Sequence, residues 1–315
     1  MSSPLIKAEE APDTVSRERP SPGISLTVGL IATIVAGLLL SLAYGQFYSA
    51  SASSVGNLRI NGNELGVRLG RAASIGDAVQ VQGLESRGNR HALLTRRVRL
   101  NAEEFTHLRY VIDDHHPSVE IFFVWLRADD PGGVYYGPLG RRKDGAGYIN
   151  LGETAGWEGE IIGVGINVVG TSEEHLPTIR SLTLSPASAA GELGVAWSGW
   201  TRMNSWLPSS INIVRIPEDL RSVALAPAMA AWSAIALGIL AALQLFGGRF
   251  KPGPGGFLTA MVLPWIAFDV FWQARLNDQL VQTRADFSGK SHHERRLAEP
   301  YAGIYRYAEY LKKQV

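Results

Sequence analysis

The chain has no cysteine. That absence excludes disulfide staples, thiolate zinc sites, iron–sulfur clusters and a thiol nucleophile. It leaves the compartment open, because 315 residues can build a full core without disulfides. Charge is scarce as well. Asp, Glu, Lys and Arg make up 19% of the chain, and 30 basic residues against 29 acidic ones leave a net charge of +1. A chain so balanced lacks the basic excess that a nucleic-acid partner demands. Several catalytic fingerprints are missing too. There is no Gly-x-Ser-x-Gly elbow and no phosphate loop. Gly163-Val164-Gly165 lies inside a strand pattern with no helix after it, so it is not a dinucleotide fingerprint. No cofactor is implied. Glu120, Asp129 and Glu160 could serve a paired-carboxylate glycosidase, but nothing in the sequence selects them, and enzyme activity is left undecided with a non-catalytic role preferred.

What charge remains is kept out of a few long apolar stretches. Residues 24–44 form an uncharged run of about 21 residues, which predicts a first membrane helix over 24–46. At about 1.5 Å per residue the run crosses a hydrocarbon core of roughly 30 Å. A cleaved signal peptide is the competing reading, and the polar lead before the run fits a retained anchor better. Residues 222–246 are also uncharged and predict a second span. Residues 257–272 hold Pro264 and Asp269, and they fit either a short span or a re-entrant segment. Lys7, Arg17 and Arg19 precede the first run, and Arg249 and Lys251 follow the second. Basic residues stay in the cytoplasm, so residues between the first two spans are expected outside it. The basic residues of the tail, 273–315, would then favour a segment at 257–272 that only dips into the bilayer. The polar residues 1–22 predict a disordered cytoplasmic tail.

Residues 50–216 show no convincing helical period. Short β-branched and aromatic runs alternate there with Gly, Pro, Asn and Asp clusters. Strands are expected over 78–84, 93–100, 107–113, 119–127, 159–169 and 178–184, the strongest being VEIFFVWLR at 119–127. Many short strands without intervening helices predict an antiparallel jelly-roll or β-sandwich. The fold class is therefore a membrane-anchored all-β protein, with the sandwich between transmembrane helices and a short helical C-terminal tail. The order of the strands at 94–100 and 108–112, the run ending Trp125-Leu126-Arg127, the Trp157-Glu158-Gly159 turn and the strand 179–184 before Pro186 carry a resemblance. Residues 196–212 and 268–276 extend it. The chain resembles bacterial membrane proteins with a discoidin-like or carbohydrate-binding-like jelly roll outside the cytoplasm, linked with cell-surface polysaccharide synthesis. The resemblance implies a sandwich facing the periplasm from the inner membrane, and a glycan-related role. It supplies no catalytic residues.

Sugars present apolar C–H faces and hydroxyl edges, which aromatic rings beside polar groups can read. Tyr135 and Tyr136 lie between Pro131-Gly132-Gly133 and Gly137-Pro138, and they predict an exposed platform. Arg127, Trp157, Arg141 and Arg142 complete the candidate glycan-binding set, although Trp157 equally suits a sandwich core. Asp113, Asp114 and His116 are candidate metal ligands beside His115, and the same run suits a polar turn closed by Pro117. In the tail, Ile304, Tyr307, Ala308 and Leu311 recur at helical spacing and predict an amphipathic helix. Three functions stand in order. The first is an envelope protein whose partners are the lipid bilayer, a polysaccharide and membrane proteins of its synthesis or export. The second is a structural subunit that uses the sandwich as a protein interface. The third is a membrane-bound glycan-modifying enzyme.

Overall fold

The computed structural model describes residues 22–48, 55–85, 90–116, 119–142, 144–170, 176–201, 225–247, 251–298, 302–312 and 314. The tail expected at 1–22 lies outside these residues except for its last one. Helix α1 runs Pro22–Tyr48. Eleven strands follow: β1 Leu58–Asn61, β2 Gly66–Leu69, β3 Arg71–Ile75, β4 Ala78–Gly83, β5 His91–Asn101, β6 His107–Asp113, β7 Val119–Arg127, β8 Tyr135–Leu139, β9 Ala146–Asn150, β10 Glu160–Gly170 and β11 Thr178–Ser185. Helices α2 Ala189–Thr201, α3 Leu225–Phe246, α4 Pro254–Phe287, α5 His292–Ala298 and α6 Ala302–Lys312 complete the chain. These elements form two compact units. One joins the described residues up to Gly37 with Trp232–Trp265, and the other joins Leu38–Ala231 with Ile266–Val315.

The second unit holds two antiparallel sheets. A six-stranded sheet has the order β3-β4-β11-β6-β9, with β1 also paired to β11. A five-stranded sheet has the order β2-β5-β10-β7-β8. The sequence expectation of a sandwich is met, and the physical cause is plain in β7. Val119, Ile121, Phe123 and Trp125 alternate with Glu120, Phe122, Val124 and Leu126, and a strand sends alternate side chains to opposite faces. The first set enters the core with Leu94, Ile166, Val168, Leu108, Ile112 and Leu182. Trp125 stacks on Phe123 at 5.8 Å and meets Trp157 edge to face at 5.6 Å. The Trp157 indole N–H donates to the carbonyls of Ala102 and Phe105, at 3.0 and 2.8 Å. This anchors the short 3-10 turn Ala102–Glu104 that links the two sheets between β5 and β6.

Helix α2 was not foreseen, since no helical period was read in 50–216. Its buried residues are Gly191, Glu192, Val195, Ala196 and Ser198, of which only Val195 and Ala196 carry apolar side chains. The small residues let it lie flat on the outer face of β6 and β9. A Cβ on Gly191 would come within 3.0 Å of the His107 ring, and one on Gly194 within 3.0 Å of Tyr148. Strand β9 is a sheet edge, and the Tyr148 N–H donates to Ser198 Oγ at 3.0 Å. Covering an edge with a helix removes a site of unwanted strand pairing. His107 is fully buried beneath α2 and contacts Glu192 Oε1 through Nε2 at 3.0 Å. The other ring nitrogen, Nδ1, lies 3.1 Å from the Thr106 hydroxyl.

In the first unit, Ser25, Gly29, Thr33 and Gly37 recur every fourth residue along α1 and share one face. A Cβ on Gly29 would stand 2.6 Å from the Gly256 carbonyl oxygen of α4. Gly256 N–H donates to Ser25 Oγ at 2.9 Å, and the Trp232 indole of α3 donates to the Thr33 carbonyl at 2.7 Å. Ala32, Ala36, Ala236, Leu240 and Ala260 fill the contact between the helices. The large side chains Ile24, Leu26, Ile31 and Ile34 face outward instead. Small residues inside and bulky apolar ones outside invert the pattern of a helix in water. Among the described residues, three helices are long and apolar enough to cross a membrane: Gly23–Gln46, Pro227–Phe246 and Pro254–Val281.

The third of these departs from expectation. Residues 257–272 were read as a short segment followed by a separate helix, yet α4 is continuous for 34 residues with Pro264 inside it. A proline removes one backbone hydrogen bond, and a long apolar helix tolerates that loss when neighbours pack around the gap. Pro264 is buried.

Three variants test these contacts. Gly29→Val is expected to loosen the helix packing and lower the unfolding temperature of the detergent-solubilised chain. Gly238→Ala, where an added Cβ meets nothing within 4 Å, is expected to leave it unchanged. Glu192→Ala leaves a buried imidazole nitrogen without its partner and is expected to destabilise the sandwich by about 2 kcal/mol, read from chemical unfolding followed by tryptophan fluorescence.

Candidate functional site

The outer face of the five-stranded sheet is where the register gathers chemistry that the core does not use. Strand β10 is central, flanked by β5 and β7. Its Ile166 and Val168 point into the core, so Gly165 and Asn167 point out. The pairings run Tyr136–Val124–Gly165–Thr95–Gly66 across one row. The next row is Pro138–Phe122–Asn167–Leu93. The row on the other side is Leu126–Gly163–Arg97. From Tyr136 to Thr95 there are three inter-strand steps, about 14 Å at the usual strand spacing. The face is therefore long enough for an extended ligand.

Its chemistry is mixed. Tyr136 is 65% exposed and meets Phe122 edge to face at 5.7 Å. This pair forms an aromatic ledge at one margin. At the other margin Arg68 reaches over from β2 and donates from Nε to Thr95 Oγ1 at 3.2 Å. Asn167 sits between Phe122 and Leu93, and its Oδ1 is buried without a hydrogen-bond partner. A buried carbonyl oxygen left unpaired costs about 1–3 kcal/mol. Gly165 is a requirement of packing here, since a Cβ would lie 2.1 Å from the Leu94 carbonyl oxygen. The central strand thus stays low, and the flanking Thr95 and Leu126 lean over it.

The expected Tyr135–Tyr136 platform is split. The two are neighbours in β8, so their rings leave on opposite faces. Tyr136 faces out. Tyr135 stacks on Trp125 at 6.1 Å at the margin of the core, and the Arg127 guanidinium lies 5.2 Å from its ring centre. Its hydroxyl donates to Asp130 Oδ2 at 3.0 Å, and that bond raises the phenol above its ordinary value. Arg127 is largely buried and pairs with Asp129 and Glu158. The hydrogen bond from Arg127 holds the Asp129 carboxyl below the usual carboxylate range, and the same contact raises Arg127. Arg127 and Tyr135 therefore form a closed cluster at one end of the sandwich.

The other expected residues are elsewhere. Trp157 is 6% exposed and belongs to the core, so it offers no surface to a sugar. Arg142 pairs with Asp144 at 3.0 Å and donates to the Ser198 carbonyl at 3.4 Å and to Thr201 Oγ1. It holds the C-terminal end of α2, where a cation also suits the helix dipole. Arg141 is half-buried in the same loop. Arg142 joins α2 to the loop after β8, and neither arginine lies on the strand rows of the outer face. The metal set does not converge. Asp113 ends β6 and pairs with Arg180, whereas Asp114 turns the chain at φ 57° and is exposed. His115 meets the Val119 carbonyl at 3.2 Å, and the His116 carbonyl accepts from the Val119 N–H at 3.1 Å. Among the described residues, no three His, Asp or Glu side chains form a group that could hold a metal ion.

Phe122, Asn167, Thr95 and Arg68 were not singled out from the sequence. A signal was there. GVGINVV puts Gly163, Gly165 and Asn167 on one side of a strand whose other side is apolar. VEIFFVWLR is apolar on both sides, so its second face needs a cover or a ligand.

The Asp129 carboxyl should protonate only below the ordinary carboxylate value of about 4. Because its folded value is depressed, its contribution is full above that ordinary value and is lost as pH falls through the lowered one. Carbon-13 NMR of the side-chain carboxyl is expected to show this, and Arg127→Gln is expected to return the midpoint toward the ordinary value.

No family model matches the chain, and no curated protein matches it. Among solved structures, the chain is similar to a new low-affinity xylan-binding module, CBM86, from the xylanolytic gut symbiont Roseburia intestinalis. The identity is 16% and the TM-score 0.31, over 44% of this chain and 99% of that one.

Proposed function

We propose that the chain is a non-catalytic, membrane-anchored protein whose β-sandwich binds a glycan strand on the outer face of its five-stranded sheet. The observation that carries the reading is the row from Tyr136 to Thr95 with the unpartnered Asn167 oxygen beside it. An aromatic ledge takes the C–H face of a sugar ring. The Asn167 amide, the Thr95 hydroxyl and the Arg68 guanidinium take hydroxyl or carboxylate groups across the sheet. Three apolar helices with bulky residues outward support the anchor. The basic residues before α1 and in the loop between α3 and α4 support a cytoplasmic side for both, with the sandwich outside. In a bacterial envelope such a protein would hold a surface polysaccharide near the inner membrane, facing the periplasm, during its synthesis or export.

A second reading rests on the same face. Leu126, Phe122, Leu93 and Val169 give it an apolar share that would suit a protein partner, making the chain a structural subunit.

A glycan array probed with the full chain in lipid nanodiscs separates the two. Binding to one class of bacterial polysaccharide is expected. Tyr136→Ala and Asn167→Leu are each expected to weaken it, the tyrosine by about thirtyfold, as for a hot-spot ring. Tyr135→Phe is expected to leave it unchanged. A folded chain that binds no glycan would end the first reading and leave the protein interface.

A further inference from the structure

Helix α4 ends at Phe287, and the chain turns at Gly289, whose φ is 72°. Helix α5 then begins with a reciprocal cap. The Ser291 N–H donates to Glu294 Oε2 at 2.7 Å, and the Glu294 N–H donates to Ser291 Oγ at 3.4 Å. The Ser291 hydroxyl also donates to Glu294 Oε2 at 2.7 Å, and this bond, with that from the Ser291 N–H, holds the Glu294 carboxyl below its ordinary value. His293 Nδ1 meets the Tyr305 hydroxyl at 2.9 Å, and their rings lie 5.5 Å apart. The two short helices are thereby pinned together through Tyr305.

That contact fixes which way the rest of α6 faces. Residues advance about 100° each round a helix. Ile304, Tyr307, Ala308 and Leu311 share one stripe, and Tyr305 lies about 100° from its centre. The stripe is turned away from α5 and is bare: Ile304 is 70% exposed, Tyr307 63% and Leu311 46%. Tyr310, at its flank, is 59% exposed. The surrounding charge has one dominant sign. From residue 289 to the C-terminus there are six Lys and Arg residues against three Glu. Arg295, Arg296 and Lys312 are all exposed.

We propose that the α5–α6 hairpin lies in the interface of an anionic bilayer, with the stripe Ile304, Tyr307 and Leu311 among the upper acyl chains and the basic residues against lipid phosphates. An apolar face with tyrosines, bordered by Lys and Arg, matches that boundary on both counts. Charge complementarity selects lipid over a second copy of this chain, whose hairpin would carry the same sign. The inference rests on the membrane-anchored reading only in requiring a bilayer beside the chain, and it is independent of glycan binding.

The lack of cysteine makes the test clean, because a single introduced thiol can carry a nitroxide spin label. Ile304→Cys, Tyr307→Cys and Glu309→Cys are placed in the full chain in nanodiscs of phosphatidylethanolamine with phosphatidylglycerol. Leu38→Cys on α1 reports the anchor by itself. Labels at 304 and 307 are expected to be relaxed by oxygen and shielded from an aqueous nickel chelate, with the reverse at 309. In phosphatidylcholine nanodiscs that contrast is expected to be lost, while the label at 38 keeps its lipid character. Nickel access at 304 and 307 in the anionic discs would overturn the proposal, as would shielding of both labels from both reagents, which means a protein neighbour. A persistent contrast in phosphatidylcholine would overturn the anionic requirement. Nickel access at 38 would instead end the membrane-anchored reading on which the proposal stands.

Discussion

Trp125 and Trp157 meet edge to face in the middle of the sandwich, and their contact determines which residues are left for anything else. Trp157 ties the turn Ala102–Glu104 by two carbonyls, and Trp125 donates to the Gly156 carbonyl at 2.9 Å. Both indole donors are thereby satisfied inside the protein, as buried polar groups must be. With Trp125 facing inward, the parity of β7 is set. Phe122 and Val124 must face the other way, and so must Tyr136 across the register. The outer face is thus a consequence of how the core is filled.

The same economy of faces explains the arginines. Arg127 and Arg142 are the least exposed members of their ion pairs, and each is enclosed by acceptors of its own neighbourhood. A guanidinium bonded through all three of its nitrogens braces a loop or a helix end. Arg68 is different. It is exposed and bonds a hydroxyl on the outward-facing row through Nε. An arginine's use is decided by what surrounds its fork, which neighbouring residues in the sequence do not reveal.

In the helical unit the organising constraint is distance between backbones. Gly29 and Gly256 permit an approach that any side chain would block, and Ser25 and Thr33 give polar contacts along the same stripe. Helix association without a hydrophobic driving force depends on such close packing and on hydrogen bonds between helices. Bulky apolar residues take the opposite face.

The sequence by itself determined the architecture in outline. Uncharged runs of membrane length announce two helices, and the two-residue period of AVQVQGL and VEIFFVWLR announces strands with a buried side. The stripe at 304, 307, 308 and 311 likewise announced α6. Composition also excluded thiol chemistry, since there is no cysteine. Tertiary structure decided the rest. It parted Tyr135 from Tyr136, put Trp157 in the core, gave Asp113 to Arg180 and ran α4 through Pro264. It laid α2 against His107 and Tyr148 through Gly191 and Gly194, which no hydrophobic period marks. It also brought Asn167 beside Phe122 from 45 positions away in the chain. Periodicity reports which side of its own element a residue takes, because backbone geometry is local. Which residues share a face depends on strand order and register, and those are fixed only when the whole core closes.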